Sequence, residues 1–548
     1  MKIRVLLCLC LLCVAWLSAP ACGPTTTPGQ EGTQTQEPTG STELTKDSAP
    51  DANVTPEPSP EPNSPEPEPK PEPTVEVGPE LKPEATPVEK APEVTPEVHV
   101  EAPPKKLTYH KDIRAVIENR CTSCHKQDGI GPFKLTTYQE VHKVRSLVKF
   151  AVKEKKMPPW GADKQCNQYH NDFDLTDKER ASIIKWVDDG AVEGDPNDYK
   201  APPPPPKIGL DRVDVSLKMK KPYQPDRKPD DYRCFILDWT PKATKFITGF
   251  QVKPGNPKIV HHIIAYLVQP GEAAQYIKKD QRTKGEGYRC YGVAGGPASL
   301  RWLGVWAPGV PGSIYPKDTG IKVVPGSKII LQLHYNVPSI TPKPDQSTVS
   351  FQLEDKVKKE AIYLPWTNPL WLSKGKMKIP AGKANVQHSF GFDLFAAFPL
   401  FITLAKQRGV KTDAMQKILD KIKSITIHDA MMHMHVLGRS GRLHIERGGK
   451  KTCLLNLPRW DFNWQLGYRL KNPITIKPGD SIGISCAWDN TPAKQPTIDG
   501  KKQTPIDVFW GDGTRDEMCL GLFYITCQDK AGATTPCPDL GSLLSSFL

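Results

Sequence analysis

The rhythm of apolar and polar residues changes several times along this chain, and each change predicts a different kind of segment. Behind the charged start Met1-Lys2-Ile3-Arg4, an apolar run extends from Val5 to Leu17, and small residues then lead to Ala21-Cys22. The run is too short to span a bilayer, so residues 1–22 read as a cleaved secretory signal. From 23 to 106 apolar patterning stops and Pro, Glu, Thr and Ser dominate. Such a segment cannot bury a core that offsets chain entropy, which predicts a disordered, extended Pro-rich linker. Helical spacing begins after it. One helix is expected over Asp112–Glu118. A second starts at Thr176, where Glu179 three residues on completes a capping box, and stops at Gly190 with Ile183, Trp186 and Val187 on its apolar face. After Pro202–Pro206 the pattern turns to short alternating strands punctuated by Gly, Pro and Asn turns, as in β-sandwiches. The one clear helical stretch there is Thr412–Lys423, where Met415, Ile418, Leu419 and Ile422 recur at helical spacing.

Charge sharpens this division. The chain carries a net charge of +12; residues 23–106 hold 17 acidic and 6 basic residues and the signal two basic ones, leaving +21 for the part from Leu107 onward. A basic folded region attracts anionic partners or membrane surfaces, although a solvated lysine-rich surface is the simpler reading. Nucleic acid is not an expected partner. Cys22 resembles the lipid-bearing cysteine of bacterial lipoproteins, although Ala19-Pro20-Ala21 lacks the usual leucine three residues before it. A lipid on Cys22 would anchor the protein to a membrane from the periplasm or cell surface. Of the 14 cysteines, ten lie from Cys121 onward; in an oxidising compartment, disulfides are expected among the eight outside the next motif.

That motif is Cys121-Thr122-Ser123-Cys124-His125. Two thioethers at this spacing clamp a porphyrin edge, and the adjacent histidine reaches the iron, so one covalent haem c is expected. A helix before the motif and another after the loop fit a small all-α cytochrome c domain over 107–200. Met157, in Met157-Pro158-Pro159-Trp160, is the expected sixth ligand, on a loop stiffened by two prolines. Methionine opposite histidine raises the potential, which suits electron transfer. His142 and His170 are its rivals.

Four motifs in the β region carry metal-ligand atoms: Val260-His261-His262-Ile263, Leu331-Gln332-Leu333-His334-Tyr335, Met432-His433-Met434-His435 and Asp516-Glu517-Met518-Cys519. Residues two apart share a strand face, so His433 and His435 can grip one metal and Gln332 lies on the face of His334. His261 and His262 can serve one metal only if their strand is bulged. Three histidines alone suit zinc as well as copper. A thioether favours copper, so Met518 decides the metal and disfavours a zinc hydrolase.

In this order, the motifs resemble those of the copper type II, ascorbate-dependent monooxygenases, which include peptidylglycine α-hydroxylating monooxygenase and dopamine β-hydroxylase. Ala307-Pro308-Gly309, Leu437-Gly438-Arg439 and Gly479-Asp480 extend the resemblance over roughly 220–530. It implies two consecutive all-β, jelly-roll-like sandwich domains, at 205–350 and 351–548, facing across a solvent-filled cleft. It implies two copper ions. His261, His262 and His334 would hold the electron-storing copper, with Gln332 nearby. His433, His435 and Met518 would hold the O2-binding copper where a C–H bond is hydroxylated. The reductant would be ascorbate or a periplasmic protein donor acting through the haem. The resemblance also implies the disulfide Cys486–Cys519; Cys234 and Cys290 are expected to pair in the first sandwich, and Cys166, Cys453, Cys527 and Cys537 stay unassigned.

The sequence departs from the peptidylglycine enzyme where that enzyme binds its peptide. Met431 stands in place of an arginine, and Leu520 and Leu522 in place of an asparagine and a tyrosine. The expected substrate is therefore a small apolar or aromatic molecule. The alternative function is a non-catalytic surface cytochrome that binds copper and transfers electrons.

Overall fold

The computed structural model describes residues 106–539, apart from 128, 130, 171, 203–208, 240, 291–292, 297, 299–300, 309–311, 338–340, 408 and 410. The expected signal, Cys22 and the linker up to residue 105 lie outside the described residues.

The helical module opens with a π-helical turn, Tyr109–Ile113, running into α1 (Arg114–Arg120). It continues with α2 (Tyr138–Lys143), α3 (Arg145–Lys153) and α4 (Asp177–Asp188). The last helix starts as its sequence dictates. The Glu179 N–H donates to Thr176 Oγ1 at 3.1 Å, and the Thr176 N–H to the Glu179 carboxylate at 2.7 Å. Ile183 and Trp186 are fully buried against Ile113, Ile117 and Val141. Helix α2 was not expected, yet the same box, Thr137 with Glu140, caps it. Its single turn of apolar spacing was too short to register as helical.

The β region holds two sandwiches. The first uses β1 (Val215–Lys218), β2 (Asp230–Leu237), β3 (Lys245–Lys253), β4 (Val260–Val268), β5 (Tyr288–Arg289), β6 (Trp302–Trp306), β7 (Ser313–Ile314), β8 (Thr319–Val323), β9 (Lys328–Asn336) and β10 (Thr348–Glu354). The second uses β11 (Lys359–Trp366), β12 (Val386–Phe392), β13 (Ser424–His433), β14 (Gly438–Arg447), β15 (Lys450–Leu457), β16 (Gly467–Ile476), β17 (Ser481–Trp488), the ribbon β18 (Thr497–Ile498) with β19 (Lys501–Lys502), then β20 (Leu520–Gln528) and β21 (Thr534–Thr535). One inner sheet runs β5-β2-β9-β4-β6 and another β12-β17-β14-β15.

The remaining strands join in a single sheet in the order β1-β10-β3-β8-β11-β20-β13-β16, with β7 on β3 and β21 on β20. Its two halves meet where β8 and β11 pair in parallel, Thr319 opposite Lys359 and Gly320 opposite Glu360. The sandwiches are thus fused through the backbone. The boundary drawn at 350 cuts β10, which pairs with β1 and β3 through Glu354, so the first sandwich ends after that strand.

Helical content in the β region exceeds the one stretch expected. That stretch is α7 (Asp413–Lys421), preceded by α5 (Ala273–Arg282) and α6 (Leu394–Gln407). Helix α6 is apolar almost throughout and contains Pro399. A continuous apolar run does not distinguish helix from buried strand, and an internal proline argues against a helix. No helix among the described residues is long and apolar enough to cross a membrane.

Four disulfides close the fold: Cys234–Cys290, Cys486–Cys519, Cys527–Cys537 and Cys166–Cys453. The first two are those expected from the sequence. The last joins the helical module to β15 across a sequence separation of 287. Four bridges in one chain indicate an exported, oxidising environment.

Candidate metal centre

Strand β4 pairs with β9 in steady register from His262 opposite His334 onward, and the register slips between Val260 and His262. His261 is the extra residue of a bulge, the distortion needed for two neighbouring histidines to serve one ion. The ligand atoms of His261, His262 and His334 all lie within 4.8 Å of one another. The His334 ring stacks on Tyr232 at 4.0 Å, and its Nε2 lies 2.8 Å from Asp230 Oδ1. That carboxylate fixes the ring and leaves Nδ1, buried and without a hydrogen-bond partner, as the nitrogen free for a metal. Burial holds His261 and His262 well below the ordinary imidazole range, so both are neutral donors. Burial opposes ionisation of Asp230 too, but hydrogen bonds from His334 and Thr514 hold its pKa below the usual carboxylate range. An orphaned buried imidazole nitrogen among three converging imidazoles fits a copper ion. Gln332 points to structure instead. Its amide donates to the Cys290 carbonyl at 3.0 Å and braces the Cys234–Cys290 segment.

The second set grows from strand alternation. Met432 and Met434 enter the core of the second sandwich, while the intervening positions put His433 and His435 side by side with their Nε2 atoms 3.1 Å apart. Both Nδ1 atoms are engaged, His433 with Gln465 Oε1 at 2.6 Å and His435 with the Asp516 carbonyl at 2.9 Å. Each Nε2 is thereby presented toward a common point. Burial lowers the two pKa values, to about 4 and about 3.

The segment carrying Met518 is tied to this pair. Glu517 is fully buried and accepts from the His435 N–H at 2.8 Å, the Leu437 N–H at 2.7 Å and the Trp488 indole at 2.8 Å. Met518 itself is buried, His433 lies opposite Leu520 in the β13–β20 ladder, and Cys519 is bridged to Cys486. Two imidazoles with a methionine in the segment leading into β20 fit copper better than zinc.

The two sets adjoin, in contrast to the expected solvent-filled cleft. The His262 and His433 rings are 5.9 Å apart, and Phe462 stacks on His261 at 4.3 Å. Across the same junction Asp230 accepts from the Thr514 N–H at 3.0 Å, and the Tyr232 hydroxyl donates to the Asp512 carbonyl at 2.7 Å.

Comparison with known proteins agrees with this architecture. Profiles of the copper type II ascorbate-dependent monooxygenases match residues 215–342 as the N-terminal domain and 407–537 as the C-terminal domain. The two sandwiches are thus similar, in order, to the two domains of this family. Human DBH-like monooxygenase protein 1 is 25% identical over 286 residues, covering 50% of this chain and 40% of that protein. Tyramine beta-hydroxylase of Caenorhabditis briggsae is 24% identical over 380 residues, 65% of this chain and 55% of its own. Dopamine beta-hydroxylase of Bos taurus is 23% identical over 250 residues, 45% of this chain and 36% of its own. This chain thus spans about half or less of these relatives.

Of the residues that replace the peptide-binding positions, Met431 and Leu522 are buried in one apolar cluster with Tyr266 and Trp302, where they pack the two sandwiches together. They form core there. Leu520, partly buried beside the cluster, is the one left near the ligand pair.

In the helical module, Cys121 and Cys124 are unbridged, whereas the other eight described cysteines pair. His125 Nδ1 lies 2.9 Å from the Phe133 carbonyl, which fixes the ring and leaves Nε2 for a metal. Leu147, Phe150 and Met157 are exposed apolar side chains on α3 and the following loop, at 50%, 51% and 41%. Two free thiols, an oriented imidazole and uncovered apolar surface fit a covalent haem. His170 donates its backbone N–H to the Arg469 carbonyl of β16 at 2.9 Å and so belongs to the module's contact with the sandwich. His142 packs against Tyr138 at 5.2 Å. Sequence reasoning missed Asp230, Gln465 and Glu517 as supports of the ligands. Glu517 sits inside the Asp516–Cys519 motif, but Asp230 and Gln465 carry no local signal.

Proposed function

We propose that this chain is an exported copper monooxygenase that inserts one oxygen atom of O2 into a C–H bond of a small molecule and draws its electrons through a c-type haem. The observation that carries the reading is the adjacency of the three-histidine set to the two-histidine pair beside Met518. Copper, when bound, would supply electron storage at His261, His262 and His334 and O2 reduction at His433, His435 and Met518, while haem on Cys121, Cys124, His125 and Met157 would relay single electrons.

The chain's own residues prepare that chemistry. Asp230 orients His334, Gln465 and the Asp516 carbonyl orient the pair, and Glu517 holds the His435 backbone against the Met518 segment. Phe462 stacks over His261 and holds its ring in place at the junction. The substrate is a small apolar or aromatic molecule reaching the ligand pair beside Leu520. Ascorbate or a periplasmic redox protein supplies the electrons, and a lipid on Cys22 holds the protein at the membrane.

A Cys121→Ser/Cys124→Ser variant tests the relay. It keeps its copper but loses turnover with a protein electron donor; undiminished turnover with that donor would falsify the haem's role.

A further inference from the structure

We propose that the loop 458–466, between β15 and β16, together with Trp160 and Phe173 of the helical module, is the route by which electrons pass from the haem to the copper ligands. The inference rests on the relay reading above. The step is a one-electron exchange in which Fe(II) and Cu(II) become Fe(III) and Cu(I). No bond forms or breaks, and an ascorbate-class or protein reductant restores Fe(II) twice for each O2 consumed.

From Trp160 to the histidines the contacts are continuous. Trp160 stands three residues after Met157 and is buried. It meets Phe173 edge-on at 5.0 Å and Tyr468 at 5.0 Å. Phe173 meets Trp464 at 6.3 Å. The next residue, Gln465, has its Oε1 2.6 Å from Nδ1 of His433. The Gln465 amide also donates to the Phe462 carbonyl at 2.9 Å, and Phe462 stacks on His261. A single nine-residue loop therefore touches both histidine sets and the helical module. Electronic coupling falls steeply with every through-space gap, so packed rings and hydrogen bonds between the centres favour this path.

Two further features indicate more than packing. The module is locked against the same strands. Cys166 bridges to Cys453, Arg459 donates to the Glu154 carbonyl at 2.8 Å, and the Asp163 N–H donates to the Asn456 carbonyl at 2.9 Å. The attachment thus fixes Trp160 against Tyr468. In addition, the indole N–H groups of Trp160 and Trp464 are buried without hydrogen-bond partners. Phenylalanine would fill such sites without that cost, so stability alone does not account for the two indoles.

The test uses the full-length chain loaded with haem and copper. A deazaflavin flash under anaerobic conditions reduces the haem, and the decay of its visible band reports electron loss to copper. Copper content and the haem spectrum are checked for each variant. Decay is expected to slow about tenfold or more in Trp464→Leu and Phe173→Leu and to stay near wild type in Trp464→Phe. Phe173 touches neither histidine set, so Phe173→Leu decides the matter if Trp464→Leu loses copper. Wild-type decay in the copper-loaded leucine variants overturns the route and leaves the relay standing. Absence of copper-dependent decay in the wild type overturns both.

Discussion

Asp230 Oδ1 lies 2.8 Å from Nε2 of His334, and the other oxygen of the same carboxylate accepts from the backbone N–H of Thr514 at 3.0 Å. One side chain of the first sandwich thus orients a metal-facing imidazole and clamps the loop that leads to Met518. Replacing Asp230 with Asn removes the charge and alters the hydrogen bond that fixes the ring. Copper affinity at the three-histidine set is expected to fall about 10- to 100-fold, read by competition with a chelator. Unchanged affinity would show that the ring is held by its stacking on Tyr232 instead.

Glu517 satisfies three donors at once: two backbone N–H groups and the Trp488 indole. Glu517→Ala orphans all three, at about 1–3 kcal/mol for each group left without a partner. Denaturant melts should show the destabilisation in the metal-free protein. A Glu517→Ala protein as stable as wild type contradicts this accounting.

The Cys166–Cys453 bridge closes a long loop between the module and β15. A Cys166→Ser/Cys453→Ser variant should lose about 2–5 kcal/mol of stability. Limited proteolysis should also release the module sooner than in wild type. Equal release rates would show that the Trp160 contacts and backbone pairing suffice.

His428 is buried, its Nε2 lies 2.9 Å from Thr526 Oγ1, and burial lowers its pKa from 6.5 to about 4. The folded state keeps the ring neutral where the unfolded chain would protonate it. Its contribution is therefore complete above pH 6.5 and is lost as pH falls toward 4. The loss amounts to about 3 kcal/mol at most. The stability advantage of wild type over His428→Gln should shrink across that window; a constant difference contradicts the assignment.

The two histidine sets were legible because strand geometry forces them into short motifs. Alternation places His433 and His435 together, and the bulge demanded by the adjacent His261 and His262 is present in β4. Thr176 and Glu179 announced α4 in the same local way. What was not legible depends on contacts between distant residues. Asp230 reaches a ligand more than a hundred positions away, Gln465 lies in an unpatterned loop, and the Cys166–Cys453 pair has no spacing rule. The fusion of both sandwiches into one sheet rests on two parallel pairs, at Thr319 and Gly320, that no local pattern encodes. Met431 and Leu522 could not be placed from sequence for a related reason: an apolar residue near a site looks the same whether it lines a pocket or packs a core.

The central claim is O2-dependent hydroxylation at the His433, His435 and Met518 set, and isotope labelling tests it most directly. The copper-loaded full chain is supplied with ascorbate, oxygen-18 gas and a panel of small apolar and aromatic molecules, and products are weighed by mass spectrometry. A product carrying one labelled oxygen, absent without copper and absent in Met518→Leu, is the predicted result. No labelled product from the copper-loaded protein across the panel, or labelling undiminished in Met518→Leu, would contradict it.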